Sequence, residues 1–214
     1  MIGVDAMPTL LTRRKAMALL GAGCAVLLTA RFSPVLGQEG GDTAFVRGLS
    51  EKLIAILNGP GSLADKRKQT LPLVDEYVDV DGIARFCLGR YWRMATPEQQ
   101  QKFVSLFHQV LLNSISGKLG EYRGVRITTG SSTPRGNGLT AVSTVIDRPG
   151  QPQTNVQWVI SHVAGVPKVA DIIGEGVSLS ITQRGDYSSY VQRNGNNIDA
   201  LLRAMERQAA AHAS

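Results

Sequence analysis

The 214-residue sequence predicts an α+β domain, an antiparallel sheet of about four strands with helices packed on one face. Three observations predict it. The first half carries apolar residues at spacings of three and four. The second half alternates apolar and polar residues between glycine-rich turns, and helical periodicity returns at the end.

Asp42 reads as the cap of a first helix bearing Phe45, Val46, Leu49, Leu53, Ile56 and Leu57, which Asn58-Gly59-Pro60-Gly61 ends. Ser62 opens a second helix through Tyr77, with Pro72 limiting its regularity. Residues 80–92 form a third. Thr96-Pro97-Glu98-Gln99 is a strong helix start, with a capping threonine, proline at the first helical position and glutamine three residues on. That helix is expected to run to about Tyr122, with Phe103, Leu106, Phe107, Val110 and Leu111 on one stripe.

Strands are expected at 125–129, 139–146, 155–161 and 168–173, with turn clusters at 130–138 and 147–153 and at Ala164-Gly165. Val156, Trp158 and Ile160 then share one sheet face. Closing helices are expected at 187–193 and 198–207. There is no internal repeat.

The amino terminus carries an address. Arg13-Arg14-Lys15, an apolar stretch over 16–30 and a small-residue exit near Gly37 make a secretory signal peptide. The apolar stretch is shorter than the roughly 20 residues a membrane span needs. The arginine pair points to the twin-arginine route, although Lys15-Ala16-Met17 lacks the usual bulky apolar follower; Sec export is the alternative. Cys24 is a poor lipid-attachment site, because the apolar stretch continues past it. The domain expectation is therefore a signal peptide at 1–37, one binding domain at 38–205 and a flexible tail at 206–214.

Loss of residues 1–37 removes Cys24 and leaves Cys87 alone, so no internal disulfide forms despite export. It also removes Arg13, Arg14, Lys15, Arg31 and Asp5, taking the net charge from +6 to +3. The basic excess is then too small to argue for nucleic acid. A modest positive surface suits approach to anionic lipid or acidic partners.

Two segments carry a family resemblance. One is Asp81-Gly82-Ile83-Ala84-Arg85-Phe86-Cys87-Leu88-Gly89-Arg90-Tyr91-Trp92-Arg93 with the Thr96-Pro97-Glu98-Gln99 start after it. The other is Lys168-Val169-Ala170-Asp171-Ile172-Ile173 running into Glu175-Gly176-Val177-Ser178-Leu179 and Arg184. In this order they resemble the MlaC family, the toluene-tolerance auxiliary proteins of an ABC transporter. The resemblance implies a periplasmic carrier that shields the acyl chains of a phospholipid in an apolar cavity between sheet and helices. It implies an inner-membrane ABC transporter with its lipid-binding subunit and an outer-membrane lipoprotein complex as partners, with no cofactor and no metal. Asp79-Val80-Asp81 stands where family members often have an aromatic pair. A hopanoid-associated branch is a second possible source of cargo.

The pocket candidates are Tyr91, Trp92, Phe103, Phe107, Leu111, Val142, Trp158, Ile160 and Ile172. For each one alone, core packing is the commoner role, since aromatic stripes at helical spacing are usually core, although in a lipid carrier the cargo replaces part of the core. Asp171 sits in an apolar strand, where it either positions Arg184 near the pocket mouth or bonds a turn or arginine to hold the 174–176 corner. The rival class is a small periplasmic α+β enzyme acting on an apolar substrate. His108, His162 and His212 form no metal-type pair, no Gly-x-Ser-x-Gly elbow occurs, and Asp75, Glu76, Asp79 and Asp81 read as a solvated acidic face.

Overall fold

The computed structural model describes residues 40–211. The expected signal peptide and its exit near Gly37 lie outside them. Helices α1 (Gly41–Asn58), α2 (Leu63–Tyr77), α3 (Val80–Leu88) and α4 (Pro97–Lys118) come first. Short 3-10 turns, Gly89–Arg93 and Leu119–Tyr122, follow α3 and α4. Strands β1 (Arg126–Pro134), β2 (Thr140–Asp147), β3 (Thr154–Val163), β4 (Val166–Gly174) and β5 (Val177–Ser178) make an antiparallel meander in sequence order. Helices α5 (Leu179–Arg193) and α6 (Ile198–Ala211) close the domain. The α+β class holds, with a fifth strand of two residues added at the β4 edge.

The caps follow local chemistry. Thr96 accepts from Gln99 N while the Gln99 side chain accepts from Thr96 N, the reciprocal box expected of this sequence. Ser62 and Asp65 make the same box on α2. Asp42 is not a cap. The helix starts at Gly41 behind Gly40, so Asp42 lies in the first turn, where its charge suits the helix dipole and meets His162 Nε2 at 3.1 Å.

The third helix is shorter than expected because Gly89 breaks it at φ +60°, ψ −127°. β1 extends through Gly130 to Pro134 by absorbing an irregularity between Thr129 and Ser132. α5 starts eight residues before the expected position because Ser178 caps it, accepting from Ile181 N. The solvated tail expected from Glu206 is a correction too. α6 continues to Ala211, with Ala209 buried and its carbonyl accepting from Asn113 Nδ2 at 3.0 Å.

Three apolar clusters result. One joins α3, α4, α5 and α6. A second lies between α1, α2 and the sheet. The third sits where the ends of α1 and α4 meet β1. The chain leaving α2 is clipped to β4 by Asp79 N donating to Val169 O at 2.9 Å.

Candidate functional site

The sheet face under α1 is built by register. Val142 on β2 stands opposite Trp158 on β3, and Trp158 stands opposite Ile172 on β4. Directly opposed residues share a face. Ile160 pairs with Val169, because the β3–β4 ladder slips by one residue after Val159 and leaves Ala170 as the extra residue. Val169 and Ile172 therefore face the same side despite a spacing that regular alternation would put on opposite sides.

Onto this face α1 lays Phe45, Val46, Leu49 and Leu53, and α2 adds Leu73 and Tyr77. Val46, Val142 and Ile160 are fully buried. On the sheet side Thr144, 2% exposed, accepts from Trp158 Nε1 at 3.0 Å and donates to Val156 O at 3.2 Å, while on the α1 side Thr43 and Ser50 are buried and Ser50 Oγ has no hydrogen-bond partner among the described residues. The Trp158 and Thr144 side chains thus satisfy their hydrogen bonds on the sheet side. No side chain caps the start of α1, so this helix rests largely on its apolar stripe.

The nine expected pocket residues divide. Val142, Trp158, Ile160 and Ile172 come together under α1. Tyr91, Trp92, Phe103, Phe107 and Leu111 lie in the helical cluster. There Phe103 meets Tyr187 edge-on, ring centroids 5.6 Å apart, and Phe107 stacks beyond it at 6.1 Å. Burial pushes the Tyr187 phenol up from its ordinary range. Tyr91 donates to Asn196 Oδ1 at 3.0 Å and accepts from Arg90 Nη2 at 2.7 Å. The guanidinium of Arg85 lies over the Trp92 ring.

The other wall of the sheet cluster was missed as a site, although the α1 stripe itself is plain in the sequence. Its spacing marks an apolar face without naming the surface that face meets.

The two segments that carry the family resemblance meet in space. Cys87 Sγ lies 3.6 Å from Ser180 O, and burial pushes its thiol up to about 12. Arg184 crosses α3 at Gly89, where a Cβ would come within 2.9 Å of its Nε, and stacks on Phe86. Asp171 holds the corner without an arginine. Its carboxylate accepts from Ile172 N, Ser180 N and Ser178 Oγ.

Two surface concavities occur elsewhere. One of about 420 Å³ lies between α1 and α2. The other, about 430 Å³, lies between α5 and α6 and is lined by Tyr187, Tyr190, Leu201 and Met205 among others. His108 meets Asp75 at 2.8 Å, tying α4 to α2. Among the described residues no group of three His, Cys, Asp or Glu is arranged to hold a metal ion. No described helix is long and apolar enough to cross a membrane.

Comparison with known proteins places this fold. The chain is 26% identical over 190 residues to the toluene tolerance protein ttg2D of Pseudomonas putida, covering 88% of this chain and 87% of that protein. It superposes with a TM-score of 0.70 on the phospholipid-binding protein from Ralstonia solanacearum, whose structure was solved in complex with a phospholipid. That match covers 80% of this chain and 98% of the other, at 21% identity. The family model for the MlaC protein matches residues 47–207, and the chain belongs to the MlaC family.

Proposed function

We propose that this protein carries one phospholipid, with its acyl chains held between α1 and the sheet against Val142, Trp158, Ile160 and Ile172. The observation that carries this reading is the α1–sheet interface, a predominantly apolar layer between α1, α2 and the sheet, in a chain of the MlaC family. The Ralstonia neighbour's bound phospholipid supports that cargo over a hopanoid. The five helical candidates serve as packing that supports the site.

The energetics favour a soluble carrier. Each acyl CH₂ left in water costs about 0.8 kcal/mol, so a free lipid crosses an aqueous space slowly. A lipid seated under α1 replaces contacts that α1 and the sheet otherwise make with each other. α1 moves outward on its apolar stripe, and no catalytic group is needed.

The protein works in the periplasm after export by its signal peptide, as the soluble component of an ABC lipid-transport system. It exchanges cargo with an inner-membrane lipid-binding subunit and an outer-membrane lipoprotein complex. Exposed Phe86, Leu179 and Ile181 support docking of this kind. Arg85 and Arg184 stand beside them, stacked on the Trp92 and Phe86 rings, with no carboxylate ion-pair partner among the described residues.

Transfer of a fluorescent phospholipid between donor and acceptor vesicles tests the activity. Purified protein is expected to accelerate transfer in proportion to its concentration. A rate equal to the protein-free rate, with no lipid taken up, would overturn the reading.

A further inference from the structure

We propose that the concavity between α1 and α2 binds a phosphate oxyanion through Lys66 and Arg123. The proposal rests on the carrier reading only for the source of that phosphate, the head group of the carried lipid.

The site is assembled from backbone outward. Asn58 ends α1. Its Nδ2 donates to Val125 O at 2.8 Å, and its Oδ1 accepts from Gly124 N at 2.9 Å. These two bonds hold the segment before β1 against the end of α1. Gly124 sits at φ +74°, and a Cβ there would lie 3.0 Å from Pro149 Cγ, so the close approach needs glycine. Arg123, the residue before it, is exposed at the rim of a concavity of about 420 Å³.

Lys66 rises into the same concavity from α2. It is only 9% exposed, and its Nζ donates to Leu57 O at 2.6 Å. That bond supplies a cation at the C-terminus of α1, whose last turn has no basic residue of its own. It uses one of three ammonium donors. Its remaining donors are available in the concavity that Lys66 lines, where an anion would pair with the charge.

No carboxylate lines the concavity. Asp65 is the nearby acid, and its Oδ2 is engaged by Ser62 N and Ser62 Oγ at 2.9 and 2.7 Å. Neither Lys66 nor Arg123 has an ion-pair partner among the described residues.

The concavity also stands at the end of an apolar path. Leu57, on its wall, packs with Leu119 and Val125. Leu53 belongs both to that cluster and to the one holding Val142 and Trp158. From Val46 to Leu57 the helix rises about 16 Å, the scale of an acyl chain. Chains lying under α1 would bring a head group out at Lys66 and Arg123.

The test has two arms. Delipidated protein is titrated with inorganic phosphate while the amide resonances of Gly59, Gly61 and Gly124 are followed. Wild type is expected to show saturable shifts, and Arg123→Glu to bind phosphate at least about tenfold more weakly. Retention of phosphatidylglycerol and of diacylglycerol after vesicle loading is then compared. A loss confined to phosphatidylglycerol in Arg123→Glu identifies the head group. Weakened phosphate binding with unchanged lipid retention supports the site with free phosphate as its occupant. Lys66→Met repeats both arms wherever its thermal melt shows a folded protein. Absent phosphate shifts, together with wild-type lipid retention in Arg123→Glu, overturn the site. Phosphate shifts in a wild type that retains no lipid would leave the site standing and remove the carrier reading.

Discussion

Val142 and Trp158 stand opposite one another across the β2–β3 ladder, and the indole of Trp158 reaches along its own face to bond Thr144. The pair forms the floor on which α1 rests. On the proposed function, acyl chains between α1 and the sheet would lie against both.

Val142→Glu is therefore expected to abolish phospholipid retention. A carboxylate there must be desolvated against acyl chains, at a cost of several kcal/mol. Once α1 lifts and lipid is gone, water reaches the charge and the protein stays folded with a lower melting temperature. Lipid extraction and circular dichroism on one sample check both halves. A folded variant that still carries lipid places Val142 outside the site.

Phe103→Ala is expected to do the opposite. Phe103 is fully buried in the helical cluster against Phe107 and Tyr187. Its truncation should cost about 3–5 kcal/mol of stability, with wild-type lipid per folded molecule. Urea unfolding gives the first number and lipid phosphorus the second. Lipid loss without destabilisation would return Phe103 to the pocket wall.

Those two variants separate residues that the sequence does not. Tyr91, Phe103, Val142 and Trp158 all read as buried apolar positions, and the periodicity that reveals them carries no information about which cluster each joins. Local chemistry was legible. The Thr96–Gln99 box, the four long strands and the shared face of Val156 and Ile160 follow from residue type and spacing. The start of α5 was not, because Val177-Ser178-Leu179-Ser180-Ile181 alternates like a strand while Ser178 caps a helix. The end of α6 was masked by an alanine-rich composition, and it is held by packing of Ala209 and a bond from Asn113. The wall formed by α1 and α2 depends on tertiary docking, and so does the slip at Ala170 that turns Val169 inward.

Gly89→Ala is expected to destabilise the protein by about 1–3 kcal/mol. The backbone there lies at φ +60°, ψ −127°, and the new Cβ would meet Arg184 Nε at 2.9 Å. Adding Arg184→Ala relieves the clash but not the backbone strain, so a double-mutant cycle should recover only part of the loss.

Cys87 is expected to resist alkylation by iodoacetamide at pH 8 in the native protein and to react on unfolding. Burial, with a smaller contribution from Asp171, raises its pKa from the ordinary 9.0 to about 12. The folded state thus holds its proton where the unfolded state releases it. The associated stability is fully present below about pH 9 and is lost as pH rises toward 12. Denaturation midpoints between pH 8 and 11 should fall for wild type and fall less for Cys87→Ala. Equal slopes would place the thiol in a more polar setting.

Native mass spectrometry of protein purified without detergent tests lipid carriage most directly. The expected spectrum shows the protein with one added mass equal to a diacyl phospholipid, lost in Val142→Glu. A wild-type spectrum of bare protein, unchanged after incubation with phospholipid vesicles, would contradict the carrier function.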